Sequence, residues 1–148
     1  MSQFPENRSV PAPTVIPVLP YPDVRAAVKW LEEVFGFKER LQIAEHRAQM
    51  NIPDGGAMIV AEYIGGQRPQ PGADYTTHAT MVRIHDVNAH FEHVKSSGAE
   101  ILEPPVDFEY GERQYMVKDI GGHRWTFSQT LKDMHPSEWG DENVILKD

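Results

Sequence analysis

Arg47, Met50, Gly55 and Gly56 recur as Arg113, Met116, Gly121 and Gly122, each pair 66 residues apart. Upstream, Asp23-Val24 with Gly36 recurs as Asp86-Val87 with Gly98, with one residue of slippage. A repeat present only twice does not suit a solenoid, which needs three or more stacked units. It points instead to one βαβββ-sized unit, duplicated and paired. Two such units facing each other are expected to enclose a shared cleft, and function is sought there.

A chain of 148 residues is expected to form one domain with a sizeable core. The formal net charge of −8 argues against nucleic acid or an anionic membrane surface as the main partner. No stretch approaches the roughly 20 apolar residues that span a bilayer. Met1 to Pro13 carries one arginine and no apolar run, unlike a secretory signal. There is no cysteine, so disulfides, thiolate catalysis and thiolate metal sites are excluded. A cytoplasmic location is the default expectation.

Residues 1–13 are rich in Pro, Ser and Asn and read as a loose arm. Module one spans 14–64. It opens with a strand, Thr14 to Leu19, in which Pro17 implies an edge or irregular position. Asp23 then starts a helix whose apolar stripe runs Val24, Ala27, Val28, Leu31, Val34, Phe35, and Gly36 closes it. Strands are expected at 37–44, 46–52 and 57–64, the last two joined through Pro53-Asp54-Gly55-Gly56. Residues 65–76 form a linker rich in Gly and Pro. Module two, 77–130, repeats the plan with strands at 77–84, 100–102, 113–119 and 124–130 and a helix over 86–97. Residues 131–148 make a polar tail, with a helical turn expected near Pro136–Trp139.

Tyr21-Pro22-Asp23-Val24, Val34-Phe35-Gly36-Phe37, Gly111-Glu112-Arg113 and Asp119-Ile120-Gly121-Gly122-His123-Arg124-Trp125 carry a resemblance. Together, over about residues 13–130, they resemble the vicinal oxygen chelate superfamily of glyoxalase I, extradiol dioxygenases and bleomycin-resistance proteins. The last two segments are similar to the GDR…DPxGHxW ending of its PhnB-like branch. The resemblance implies an α+β fold of two tandem βαβββ modules, with curved mixed sheets around a cleft and helices outside. It also implies a divalent metal held by His and Glu from the first and last strands of each module, and pairing into a homodimer.

Placed on this chain, those ligand positions fall on Ile16, His78, Val60 and Thr126. Only His78 is a metal-ligating type, and Glu62 lies two residues beyond Val60. No metal is therefore expected. Strand alternation assigns Ile16, Val18, Arg47, Gln49, Asn51, Met58, Val60 and Glu62 to the cleft in module one. In module two it assigns His78, Thr80, Arg113, Tyr115, Val117, Arg124, Thr126 and Ser128. Ala57, Ile59, Ala61, Trp125 and Phe127 are expected to face the helices. Arg113 or Arg47 would clamp an anionic group, Tyr115 would stack on a planar ligand, and His78 with Glu62 would form a base and its orienting carboxylate. Against these stand structural readings: Arg113 pinning a nearby loop through an ion pair, His78 as a satisfied histidine, and His90 in solvent. Two functions follow. One is a metal-independent binder of a small organic molecule; the other is a metal-dependent lyase, isomerase or dioxygenase of the same superfamily built on His78 and Glu62.

Overall fold

The structure is a computed structural model that describes residues 4–63 and 77–147. The chain divides into two compact units, Met1–Tyr75 and Thr76–Asp148. The linker expected at 65–76 lies outside the described residues.

Unit one contains β1 (Val18–Pro20), α1 (Val24–Trp30) continued by a π-helical turn (Leu31–Phe35), β2 (Lys38–Ile43), β3 (Arg47–Ile52) and β4 (Gly56–Ala61). The strands form a mixed sheet in the order β1-β4-β3-β2, with β1 parallel to β4 and the rest antiparallel. Unit two repeats this with β5 (Thr80–Arg83), α2 (Val87–Ser96), β6 (Glu100–Asp107), β7 (Glu112–Lys118) and β8 (Arg124–Thr130), in the order β5-β8-β7-β6. A short 3-10 turn, Pro136–Glu138, follows. This is the α+β duplication expected from the repeat.

Each helix begins as its sequence dictates. Asp23 and Asp86 adopt extended backbone, and their carboxylates accept from the amides of Ala26 and Ala89, satisfying donors that a helix start leaves open. The first helix then closes through Gly36, at φ 80°, where a side chain would be strained. β6 is far longer than the three residues expected at 100–102, because Pro104 and Pro105 do not break it. It is the edge strand of its sheet, and its pairing with β7 shifts register between Glu103 and Val106. A proline is tolerated at such a place because no ladder hydrogen bond needs its nitrogen.

Cross-strand partners share a face of a sheet, so the registers show which side chains meet α1 and α2. In unit one Met50 pairs with Met58 and Ala48 with Val60. All four are fully buried, and they form the helix face. In unit two Tyr115 pairs with Phe127 and Val117 with Trp125, again fully buried. His90 of α2 lies against them, its ring 4.3 Å from that of Phe127. The expectation that Met58 and Val60 face away from the helix is therefore corrected. So is the same expectation for Arg113, Tyr115 and Val117.

The cause is a single residue. The turn glycine with positive φ is Gly55 (100°) in one unit and Gly122 (84°) in the other. These are the true counterparts, one step away from the pairing of Gly55 with Gly121 that the letters suggest. Because side chains alternate with period two, one residue of slip moves a whole strand to the opposite face.

Candidate functional site

The face of unit one opposite α1 carries Arg47, Gln49 and Asn51 from β3, paired with Ala61, Ile59 and Ala57 from β4. The expected direction of Arg47, Gln49 and Asn51 is met, and Ala57, Ile59 and Ala61 move onto this face from the helix side. Val18 joins them through its pairing with Ile59. In β2 the register shifts between Glu39 and Leu41, so Arg40 sits in a bulge. Its guanidinium reaches the open face and donates to Gln49 Oε1. Arg40 was missed in the sequence because alternation cannot place a bulged residue, and nothing in the letters marks the bulge.

Residues 4–14 lie along this face. Arg40 Nη2 donates to the carbonyl of Arg8 at 2.8 Å, and Gln49 Nε2 to that of Ser9 at 2.9 Å. Pro11 is buried. Between this segment, β2 and the β3–β4 turn lies a cavity of about 1030 Å³. Phe4, Ile16 and Ile52 supply apolar surface to it, and Lys38, Arg40 and Asn51 supply polar groups. That volume is at the upper end for a small-molecule pocket, and a mostly apolar lining with a few convergent donors is the usual composition.

The open face of unit two carries Gln114, Met116 and Lys118 opposite Ser128, Thr126 and Arg124. Thr126 and Ser128 thus sit where expected. Ser128 is buried and donates to Glu112 Oε1 at 2.8 Å, while Gln114 Nε2 donates to Ser128 Oγ at 3.0 Å. Glu112 and Gln114 were not singled out in the sequence, for the same one-residue reason.

Arg113 forms a two-pronged pair with Asp107, Nε to Oδ1 at 2.6 Å and Nη2 to Oδ2 at 3.1 Å. The guanidinium holds the Asp107 carboxyl below its usual range. Arg113 is thus held in an ion pair, but across the β6–β7 ladder to Asp107 rather than to the loop around Glu109–Glu112. Tyr115 is fully buried against α2, its hydroxyl 2.5 Å from His90 Nδ1, so neither group stands in solvent. Burial pushes the Tyr115 hydroxyl above its ordinary value near 10. In the unfolded chain it ionises normally, so above pH 10 the unfolded state sheds a proton that the folded state keeps. Alkaline titration followed at 295 nm should therefore show the Tyr115 hydroxyl ionising only as the protein unfolds. A Tyr115→Phe variant should lack that late step.

His78 precedes β5, is exposed, and lies 3.4 Å from Thr77 Oγ1 through Nδ1. Glu62 follows β4 and is also exposed. One belongs to each unit. Among the described residues no three His, Cys, Asp or Glu side chains gather as a metal would require. Of the positions the resemblance points to, Ile16, Val60 and Thr126 carry no metal-ligating side chain.

Residues 14–127 match the family described as Glyoxalase/Bleomycin resistance protein/Dioxygenase superfamily. Among solved structures, TioX from Micromonospora sp. ML1 is 31% identical, with a TM-score of 0.65 over 83% of this chain and 100% of its own. TnmS3, described as an antibiotic binding protein from Streptomyces sp. CB03234, shares the fold at 19% identity. Its TM-score is 0.63 over 80% of this chain and 98% of its own. An uncharacterized protein of Mycobacterium bovis is 29% identical over 83 residues, covering 53% of each chain. The chain thus spans about half the length of the curated relatives it matches. Its duplicated βαβββ units and the family match over residues 14–127 agree: the chain belongs to the glyoxalase/bleomycin resistance protein/dioxygenase superfamily.

Proposed function

We propose that this protein binds a small organic molecule on the open face of its first unit, without a resident metal. The observation that carries the reading is the cavity beside Arg40, with Phe4, Ile16 and Ile52 as apolar surface and Lys38, Arg40 and Asn51 as donors on the sheet. Apolar contact would supply affinity, and the donors would fix orientation. The antibiotic binding described for TnmS3 supports the reading, since the same fold serves that purpose there.

A thermal-shift series tests this with aromatic amides, aromatic carboxylates and divalent metal chlorides. A ligand at about 100 times its Kd adds about 2.7 kcal/mol. At about 2–4 °C per kcal/mol for a chain of this size, Tm should rise by roughly 5–11 °C. Arg40→Ala should remove most of that rise. If no organic compound shifts Tm, the binding reading is lost. Stoichiometric metal in protein purified without added ions would overturn the metal-free part.

A further inference from the structure

Gln49 lies on the open face of its sheet yet is only 5% exposed. What it and Arg40 bond to is the backbone of the chain's own N-terminal segment. The two side chains take successive peptide carbonyls, those of Arg8 and Ser9, and Arg40 holds the Gln49 amide in the required orientation. The segment is shaped for this by a local turn. Asn7 Oδ1 accepts from the Ser9 amide at 3.0 Å, and the Asn7 carbonyl accepts from Val10 at 3.3 Å. Pro5, Pro11 and Pro13 limit the freedom that docking must remove. No side chain of Arg8 or Ser9 takes part in these two bonds, so the sheet reads oxygen acceptors rather than sequence. The segment also forms one wall of the cavity.

We propose that residues 4–14 are an intramolecular occupant of the binding site. Arg40 and Gln49 are the groups that select its ligands, taking molecules that present two oxygen acceptors at the spacing of successive peptide carbonyls. Such a ligand displaces Arg8 and Ser9 from Arg40 and Gln49, inherits their two hydrogen bonds and extends into the cavity that the rest of the segment walls. This rests on the reading of the open face of unit one as a ligand site.

The Arg8–Ser9 bond makes the strap observable in the intact chain, because trypsin cuts after arginine only when the backbone is released. Wild-type protein should be nicked there slowly. Arg40→Gln and Gln49→Leu should each accelerate that cut at least 10-fold, with the sheets left intact by mass spectrometry. A second arm uses wild-type protein alone, so it stays decisive if either variant fails to fold. The probe is an acetylated, amidated peptide of residues 5–12 with citrulline standing for Arg8, which keeps the carbonyls and resists trypsin. At millimolar concentration, the scale at which it competes with a tethered segment, it should accelerate nicking in a dose-dependent way.

Wild-type nicking as fast as in the variants would overturn the strap. Indifference to the peptide would overturn displacement by an acceptor-bearing ligand. The underlying reading fails separately: it is lost if no organic compound shifts the Tm of the wild type, even where nicking behaves as expected.

Discussion

Val60→Asp should abolish stable folding, or cost more than about 4 kcal/mol, whereas Ile59→Asp should cost about 1 kcal/mol. The two residues are neighbours in β4 and similar in character, so propensity cannot separate them. Burial can. Val60 is fully buried beside Ala48 on the helix face, where a carboxylate would lose its water and gain no cation. Ile59 is half-buried on the open face opposite Gln49, where a carboxylate stays wet. Urea unfolding followed by far-UV circular dichroism measures both. Equal tolerance, or the reverse order, would return Val60 to the open face and remove the basis for placing the site at Gln49 and Arg40.

The second large effect is centred on Asp119. Its Oδ2 accepts from Trp125 Nε1, and its Oδ1 from the amides of Gly121 and His123, all three at 2.9 Å. The carboxylate is buried, and the indole beside it is fully so. Asp119→Ala strands the indole N–H and loosens the β7–β8 turn, at a cost of about 3 kcal/mol, or roughly 6–12 °C in Tm. Asp119→Asn keeps an acceptor for the turn amides but points an amide donor at the indole donor. It should fall between wild type and alanine. Scanning calorimetry reads the series, and an alanine variant within 1 °C of wild type would show that the network contributes little. No counterpart exists in unit one, where the equivalent turn position holds Ile52.

The Asp119 network also bears on the family likeness. The segment from Asp119 to Trp125 supplied part of the resemblance, and its aspartate and tryptophan prove to be bonded to each other. That part of the motif is a structural knot that closes a hairpin. It says nothing of chemistry. A recognisable motif can mark a fold because the same turn must be held the same way, while the reacting groups vary elsewhere.

Much of the architecture was legible in the letters. The Asp23 and Asp86 caps, the apolar stripe of α1, the closing Gly36 and the span of β8 follow from short-range chemistry that acts the same in any fold. Their duplication was enough to expect two βαβββ units. The candidate site was legible only in part. Gln49 was assigned to the right face, because Ala48 and Met50 on either side of it are plainly core residues. Arg40 was invisible, and Tyr115 was placed on the wrong side.

What sequence alone determined, then, is the duplicated fold, through caps, turns and periodicity that each act within a few residues. What only the tertiary structure decided is which residues meet a ligand. That choice depends on strand register, set by the positive-φ glycines Gly55 and Gly122, and on the β2 bulge that turns Arg40 inward. Both are matters of one residue, and in a sheet one residue exchanges inside for outside. The docking of residues 4–14 on that face is likewise beyond local rules, because its bonds join Arg8 and Ser9 to partners 32 and 40 positions away.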